Sequence, residues 1–184
     1  LEVRFEKKEE IKFFQLHVLK ELLGFEIIRQ GQNYIVLKDV AESMTQKIDD
    51  LVGRLFFILD SMAEELIEAI EKKQSMEPII DIDESVNRFV NFTLRILNRK
   101  GYEKQHLLQH IYGIVSMLEE IGDSYKKIAK EISKGVKLDK TQIEILKQTR
   151  GSLNLFKELY QKFNKERAIE FAKRYETIKN KIKE

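Results

Sequence analysis

The sequence predicts a mainly all-α protein, an antiparallel bundle of long helices preceded by a small helix and a β-hairpin. Three observations predict this fold class. The 184 residues include one proline, Pro78, and proline is the residue that helix interiors tolerate least. Apolar residues recur every three or four positions over long stretches, which is the spacing of a helix face. The connections between these stretches are short, so neighbouring helices are expected to be antiparallel.

Residues 1–38 are predicted to form a small α/β linker element. Its helix is predicted by four apolar residues at helical spacing, which are Ile11, Phe14, Val18 and Leu22. Gly24 is a suitable residue to end that helix. Two runs rich in aromatic and β-branched residues follow, 25–30 and 33–38, on either side of Gly31. Such runs around a glycine-containing turn are typical of a β-hairpin.

Residues 39–184 are predicted to form the helical bundle. Five helices are expected, and the signals that start them lie at Asp39, Asp81, Gly101, Asp139 and Asn164. Asp39 and Asp139 each precede Glu or Gln by three positions, which is the pattern of a capping box. The first three expected helices are long, shorter and long, and two more helices follow them. This order favours three-helix repeats of which the second is incomplete.

Composition and charge exclude several classes of protein. The 33 basic and 31 acidic residues leave a net charge of +2, which is no electrostatic footprint for nucleic acid. The chain has no cysteine, which excludes disulfides and thiol chemistry. No stretch is apolar enough to span a membrane, and no signal peptide is visible, so we expect a cytoplasmic protein without membrane insertion. The chain begins with Leu1 rather than Met and is expected to be part of something longer.

No catalytic motif is present in the sequence. It contains no Gly-x-Ser-x-Gly and no glycine-rich phosphate loop, and its eight glycines are scattered singly. His106 and His110 lie four positions apart, which is a spacing used by two-histidine metal faces. However, they fall on the opposite flank of the apolar stripe from the acidic residues described next, so a structural or surface role is predicted. We therefore expect a protein that is not an enzyme.

The most specific stretch lies in the third long helix. Glu119 and Asp123 are four residues apart, so both carboxylates lie on one side of the helix, beside its apolar stripe. Gly122 in mid-helix costs about 1 kcal/mol relative to alanine, which predicts that another helix passes close to it. The alternative is a solvated acidic face without a specific role.

The sequence Glu119-Glu-Ile-Gly-Asp123, followed shortly by Ile128-Ala129, resembles the recurring motif of the PhoU family of phosphate uptake regulators. In that family the motif lies on the third helix of each three-helix repeat. Residues 83–97 are similar to the family's second helix. Residues 7–38, including Leu23-Gly-Phe-Glu-Ile-Ile28, are similar to the linker of archaeal proteins that fuse an AbrB-like DNA-binding domain to a PhoU domain. The resemblance covers nearly the whole chain.

The resemblance implies a regulator of phosphate uptake or phosphate-responsive transcription that acts through protein–protein contacts. The implied partners are a phosphate transporter, a sensor or the transcription machinery. DNA would be bound only through an amino-terminal AbrB-like domain that this chain lacks, and we expect a homodimer. Two other functions stay open. One is a metal-binding carboxylate bundle, and the other is a cytoplasmic regulatory domain of a potassium transport system.

The resemblance also implies metal ligands, because family members often hold iron or zinc on paired carboxylates. Glu119 and Asp123 match one such pair, and Asp83 matches the first member of another. The second member of that pair is Asn87 here. One and a half pairs supply few anionic oxygens for a metal cluster. We therefore expect no cofactor, and the alternative is an iron or zinc ion held by Glu119, Asp123 and Asp83.

Overall fold

The computed structural model describes residues 1–39 and 47–183, except for the side chains of Lys8, Glu21 and Lys183. The predicted fold class is confirmed, because long helices dominate the described residues and a small sheet precedes them. Three strands and one short helix come first: β1 (Glu2–Arg4), α1 (Lys8–Phe13), β2 (Phe25–Gln30) and β3 (Tyr34–Asp39). Five long helices follow: α2 (Ile48–Lys72), α3 (Glu77–Lys100), α4 (Leu108–Ser133), α5 (Lys140–Gln161) and α6 (Lys165–Lys183).

The chain divides into two compact units that do not follow its linear order. The first unit comprises Leu1–Val52 and Asn87–Ser116, and the second comprises Gly53–Val86 and Met117–Glu184. Helices α2, α3 and α4 therefore each contribute residues to both units. The division between residues 1–38 and 39–184 stays a prediction.

The first unit contains an antiparallel sheet of strand order β1-β3-β2. The predicted hairpin is confirmed as β2 and β3, with a bulge between Ile27 and Arg29. Strand β1 was not predicted, because three residues are too short to show an alternating pattern. The core of the sheet consists of Ile35 and Leu37, which pack together with Ile11 of α1.

Arg95 of α3 contacts the first residue of β2 and the segment that leads into that strand. The guanidinium of Arg95 donates a hydrogen bond to the carbonyl oxygen of Leu23. Its Cζ lies 4.5 Å from the ring centroid of Phe25 and 5.4 Å from that of Phe92. Burial lowers the pKa of Arg95, yet the contacts with the rings and the carbonyl compensate part of the lost hydration.

Three predicted helix starts were wrong. The helix expected to begin at Gly101 begins at Leu108 as α4, after the 3-10 turn Gln105–Leu107, because Gly101 has a positive φ of 72° and is not helical. Asp39 is the last residue of β3 and pairs with Phe25, and α2 begins at Ile48. The rest of the predicted capping box, including Glu42, lies outside the described residues, as does Met44 of the predicted apolar stripe. Helix α3 begins at Glu77 rather than at Asp81, since a proline in the first turn is compatible with a helix.

The other predicted helix ends agree with the structure. Gly101 follows α3 and Gly135 follows α4, both with positive φ angles of 72° and 99°. Asp139 caps α5 in a complete capping box with Gln142. Asn164 accepts a hydrogen bond from the backbone amide of Arg167 at the start of α6.

The predicted first helix is shorter than expected. Helix α1 ends at Phe13, and a π turn (Phe14–Val18) and a 3-10 turn (Leu19–Glu21) continue it. Val18 is exposed rather than inward, because the wider π turn changes the angular position of the residues after Phe13.

The buried apolar side chains of the second unit come from four helices. They belong to α2, α3, α4 and α5 and include Leu55, Leu59, Met62, Leu66, Ile79, Val86, Leu118, Ala129 and Leu153. Helix α6 contributes no fully buried side chain among its described residues. In the described part of the chain, no helix combines the length and apolar character needed to cross a membrane.

Candidate functional site

The predicted motif lies on α4, within the second unit, and its glycine is at a helix crossing. Gly122 is buried, and a Cβ atom placed there would lie 3.2 Å from Cγ1 of Val86 in α3 and 3.3 Å from Cδ2 of Leu59 in α2. Both distances are shorter than ordinary van der Waals contact between carbon atoms. A side chain at position 122 would therefore be crowded by both α2 and α3.

The three acidic candidates come from two helices and lie near one another. Asp83 of α3 is 1% exposed, whereas Glu119 and Asp123 of α4 are partly exposed. Burial raises the pKa of Glu119 above its ordinary value, and the negative charges of Asp123 and Asp83 raise it further. The structure thus places an electrostatically coupled carboxylate cluster beside the crossing at Gly122.

A lysine of the same helix completes this cluster. Lys126 Nζ donates a hydrogen bond to Oδ2 of Asp83 at 2.5 Å and lies 3.6 Å from Oδ1 of Asp123. The hydrogen bond to Asp83 raises the pKa of Lys126, and the charges of both aspartates add to this effect. We call Asp83, Glu119, Asp123 and Lys126 the carboxylate cluster.

Sequence analysis did not identify Lys126 as part of this cluster. The signal was available, because Lys126 follows Asp123 by three positions and Glu119 by seven, which places all three on one flank of a helix. What the sequence could not indicate is that Asp83, 43 positions away, lies opposite this flank. Within residues 1–39 and 47–183, no three histidine, aspartate or glutamate side chains are arranged to hold a metal ion.

The two histidines predicted to have a structural or surface role are both exposed. His106 lies in the 3-10 turn Gln105–Leu107, and His110 lies in the first turn of α4. His17 in the π turn is exposed and stacks on Phe13, with ring centroids 4.6 Å apart.

A second polar cluster in the same unit joins α2 to α5. Arg150 donates two hydrogen bonds to the carboxylate of Asp60, at 2.7 and 3.2 Å, and Asn154 donates a third at 2.8 Å. Glu64 lies 3.2 Å from the same guanidinium. The hydrogen bond from Arg150 lowers the pKa of Asp60. This paired arrangement fixes the position of α5 rather than offering a free charge to a ligand.

Tyr125 of α4 lies next to this pair and is almost completely buried. Burial, and then the negative charge of Asp60, raise its pKa to about 12. Its hydroxyl has no hydrogen-bond partner within the described part of the chain. At neutral pH the phenol is therefore protonated and serves as a large core side chain.

An apolar groove opens between α4, α5 and α6, and we call it the α4–α6 groove. Its volume is about 450 Å³, and its walls are mostly apolar. It is lined by Met117, Leu118, Glu120, Ile121, Ser124, Phe156 and Phe171. Met117 is 48% exposed. Exposed apolar surface of this kind, with few charges, is typical of sites where proteins bind each other.

Comparisons with known proteins add nothing to this description: no family model, curated protein or solved structure matches the chain.

Proposed function

We propose that the protein is a non-enzymatic regulator of phosphate uptake or phosphate-responsive transcription that acts by binding other proteins. The observation that carries this proposal is the position of the Glu119–Asp123 motif at a close crossing of helices. Gly122 contacts α2 and α3 there, in a bundle of long helices, as the resemblance to PhoU proteins implies. Its partners would be a phosphate transporter, a sensor or the transcription machinery in the cytoplasm.

The α4–α6 groove is the surface proposed to meet a partner. Its α4 wall includes Glu120 and Ile121, which belong to the Glu119–Asp123 motif, and its walls are mostly apolar. Apolar and aromatic side chains at the centre of an interface usually supply most of its binding energy. A partner helix that filled the groove would cover Met117 and Phe171. In the proposed homodimer, the groove would lie outside the interface between the subunits and would stay accessible to the regulatory partner.

Deletion of the gene in its own host tests the proposal. In phosphate-rich medium we expect the deletion strain to take up more phosphate than the parent, because repression is lost. The wild-type gene should restore repression. Met117→Glu places a charge in the α4–α6 groove and should fail to restore it.

Val136→Glu is the matched control, because Val136 is 46% exposed and lies after α4, outside the residues that line the groove. It should restore repression as the wild type does. Unchanged phosphate uptake in the deletion strain would refute the proposal. If potassium uptake changed instead, the protein would regulate potassium transport.

A further inference from the structure

A single ammonium group lies among carboxylates from two helices. Lys126 Nζ is 2.5 Å from Asp83 and 3.6 Å from Asp123, and Glu119 lies one turn before Asp123. The Asp83 side chain is 1% exposed, whereas that of Lys126 is 26% exposed. A buried carboxylate without a cation is strongly unfavourable, so the ammonium group of Lys126 stabilises the charged form of Asp83.

The metal ligands that the family resemblance implies do not fit a metal while Lys126 is in place. A metal ion bound to carboxylates lies about 2.0–2.6 Å from their oxygens. The lysine ammonium occupies that position next to Asp83, and its charge repels a second cation strongly at such short range. Among residues 1–39 and 47–183, moreover, no three histidine or carboxylate side chains are arranged so that they could hold a metal ion.

We propose that Lys126 is the resident cation of the carboxylate cluster and takes the place that a bound metal would need. The cluster then joins α3 to α4 at Asp83 without any cofactor. A primary ammonium suits this role, because it donates three hydrogen bonds and can bridge two carboxylates. This inference does not depend on the proposed role in phosphate regulation.

Chemical rescue of Lys126→Ala tests the inference. Removing the ammonium leaves a cation site for a small amine, so methylammonium chloride should restore part of the lost stability. Tetramethylammonium chloride at the same ionic strength has no N–H donor and should restore none. We expect Lys126→Ala to lower Tm by about 10 °C, as the loss of a buried ion pair does.

Lys127→Ala is the matched control, because Lys127 is the next residue of α4 and is exposed. It should change Tm by less than about 2 °C and should not respond to methylammonium. If Lys126→Ala is unfolded, the readout is the helical circular dichroism regained on adding methylammonium.

Three results would overturn the inference. The first is a Lys126→Ala variant as stable as the wild type. The second is an equal effect of methylammonium and tetramethylammonium on the Tm of Lys126→Ala, or on its regained circular dichroism if that variant is unfolded. The third is a rise in the Tm of the wild type with Mn²⁺ or Zn²⁺ that disappears in Asp83→Asn, because the cluster would then bind a metal despite Lys126.

Discussion

At the scale of single residues, Gly113 and Gly122 of α4 can be compared directly, because neither has a positive φ angle that would strain a larger residue. A side chain at Gly122 would meet Val86 and Leu59 within 3.3 Å, whereas one at Gly113 would meet nothing within 4 Å. Both positions lie inside the same helix, so both gain the same helix propensity when glycine is replaced. The difference between the two substitutions in the free energy of unfolding therefore measures the packing around Gly122.

We expect Gly122→Leu to lower the free energy of unfolding by about 1–3 kcal/mol, because added atoms in a packed core force neighbouring side chains and helices apart. Gly113→Leu should raise it by about 0.5–1 kcal/mol, the gain in helix propensity over glycine. Urea unfolding followed by circular dichroism measures both. Equal effects of the two substitutions would show that α4 does not pack closely at Gly122.

The carboxylate cluster shows which parts of a site can be predicted from the sequence and which depend on the packing of helices. Glu119 and Asp123 could be predicted as a pair, since helical spacing alone brings them together. The partnership of Asp83 with Lys126 could not, because it depends on how α3 packs against α4 in the second unit. The burial of Asp83 could have been predicted, because it lies four residues after Ile79 and three before Val86, on the face of α3 whose apolar residues are fully buried.

At the scale of elements, two basic residues of α5 pair with carboxylates of α2, and the two differ in burial. Arg150 bonds to Asp60 through two hydrogen bonds, and both side chains are about one quarter exposed. Lys147 bonds to Glu71 at 2.6 Å, but both side chains are nearly half exposed. Water and salt screen an exposed pair far more than a buried one.

We expect Arg150→Met to lower the free energy of unfolding by about 1.5–3 kcal/mol, because the Asp60 carboxylate would lose its charged hydrogen-bond donor. Lys147→Met, on the same helix, should cause little change. Thermal unfolding at low and high salt measures both variants. If the two variants were equally stable, the Asp60–Arg150 pair would not be what holds α5 on α2.

The starts of the helices show where a local capping pattern determines the secondary structure and where it does not. Asp139 starts α5 as predicted, because its side chain and that of Gln142 each accept a hydrogen bond from the backbone amide of the other residue. Asp39 precedes a similar sequence pattern, but its backbone joins the ladder of β3 against Phe25. Pairing with a distant strand thus overrides a local capping pattern, and only the folded chain reveals which of the two applies.

At the scale of the whole molecule, the two compact units are not consecutive pieces of sequence. Each unit takes part of α2, part of α3 and part of α4. The backbone hydrogen bonds of these helices run without interruption through the positions where the units divide. Helix formation is cooperative along a chain, so partial loss of such a helix in one unit disfavours it in the other.

We therefore expect the chain to unfold in a single transition. Arg95→Met perturbs the first unit, since it removes the contacts with Leu23 and Phe25, and Arg150→Met perturbs the second. Each substitution should shift one common urea midpoint, with circular dichroism and tyrosine fluorescence giving the same curve. A urea curve with two steps, of which a variant shifts one and leaves the other in place, would show that the units unfold independently despite the helices they share.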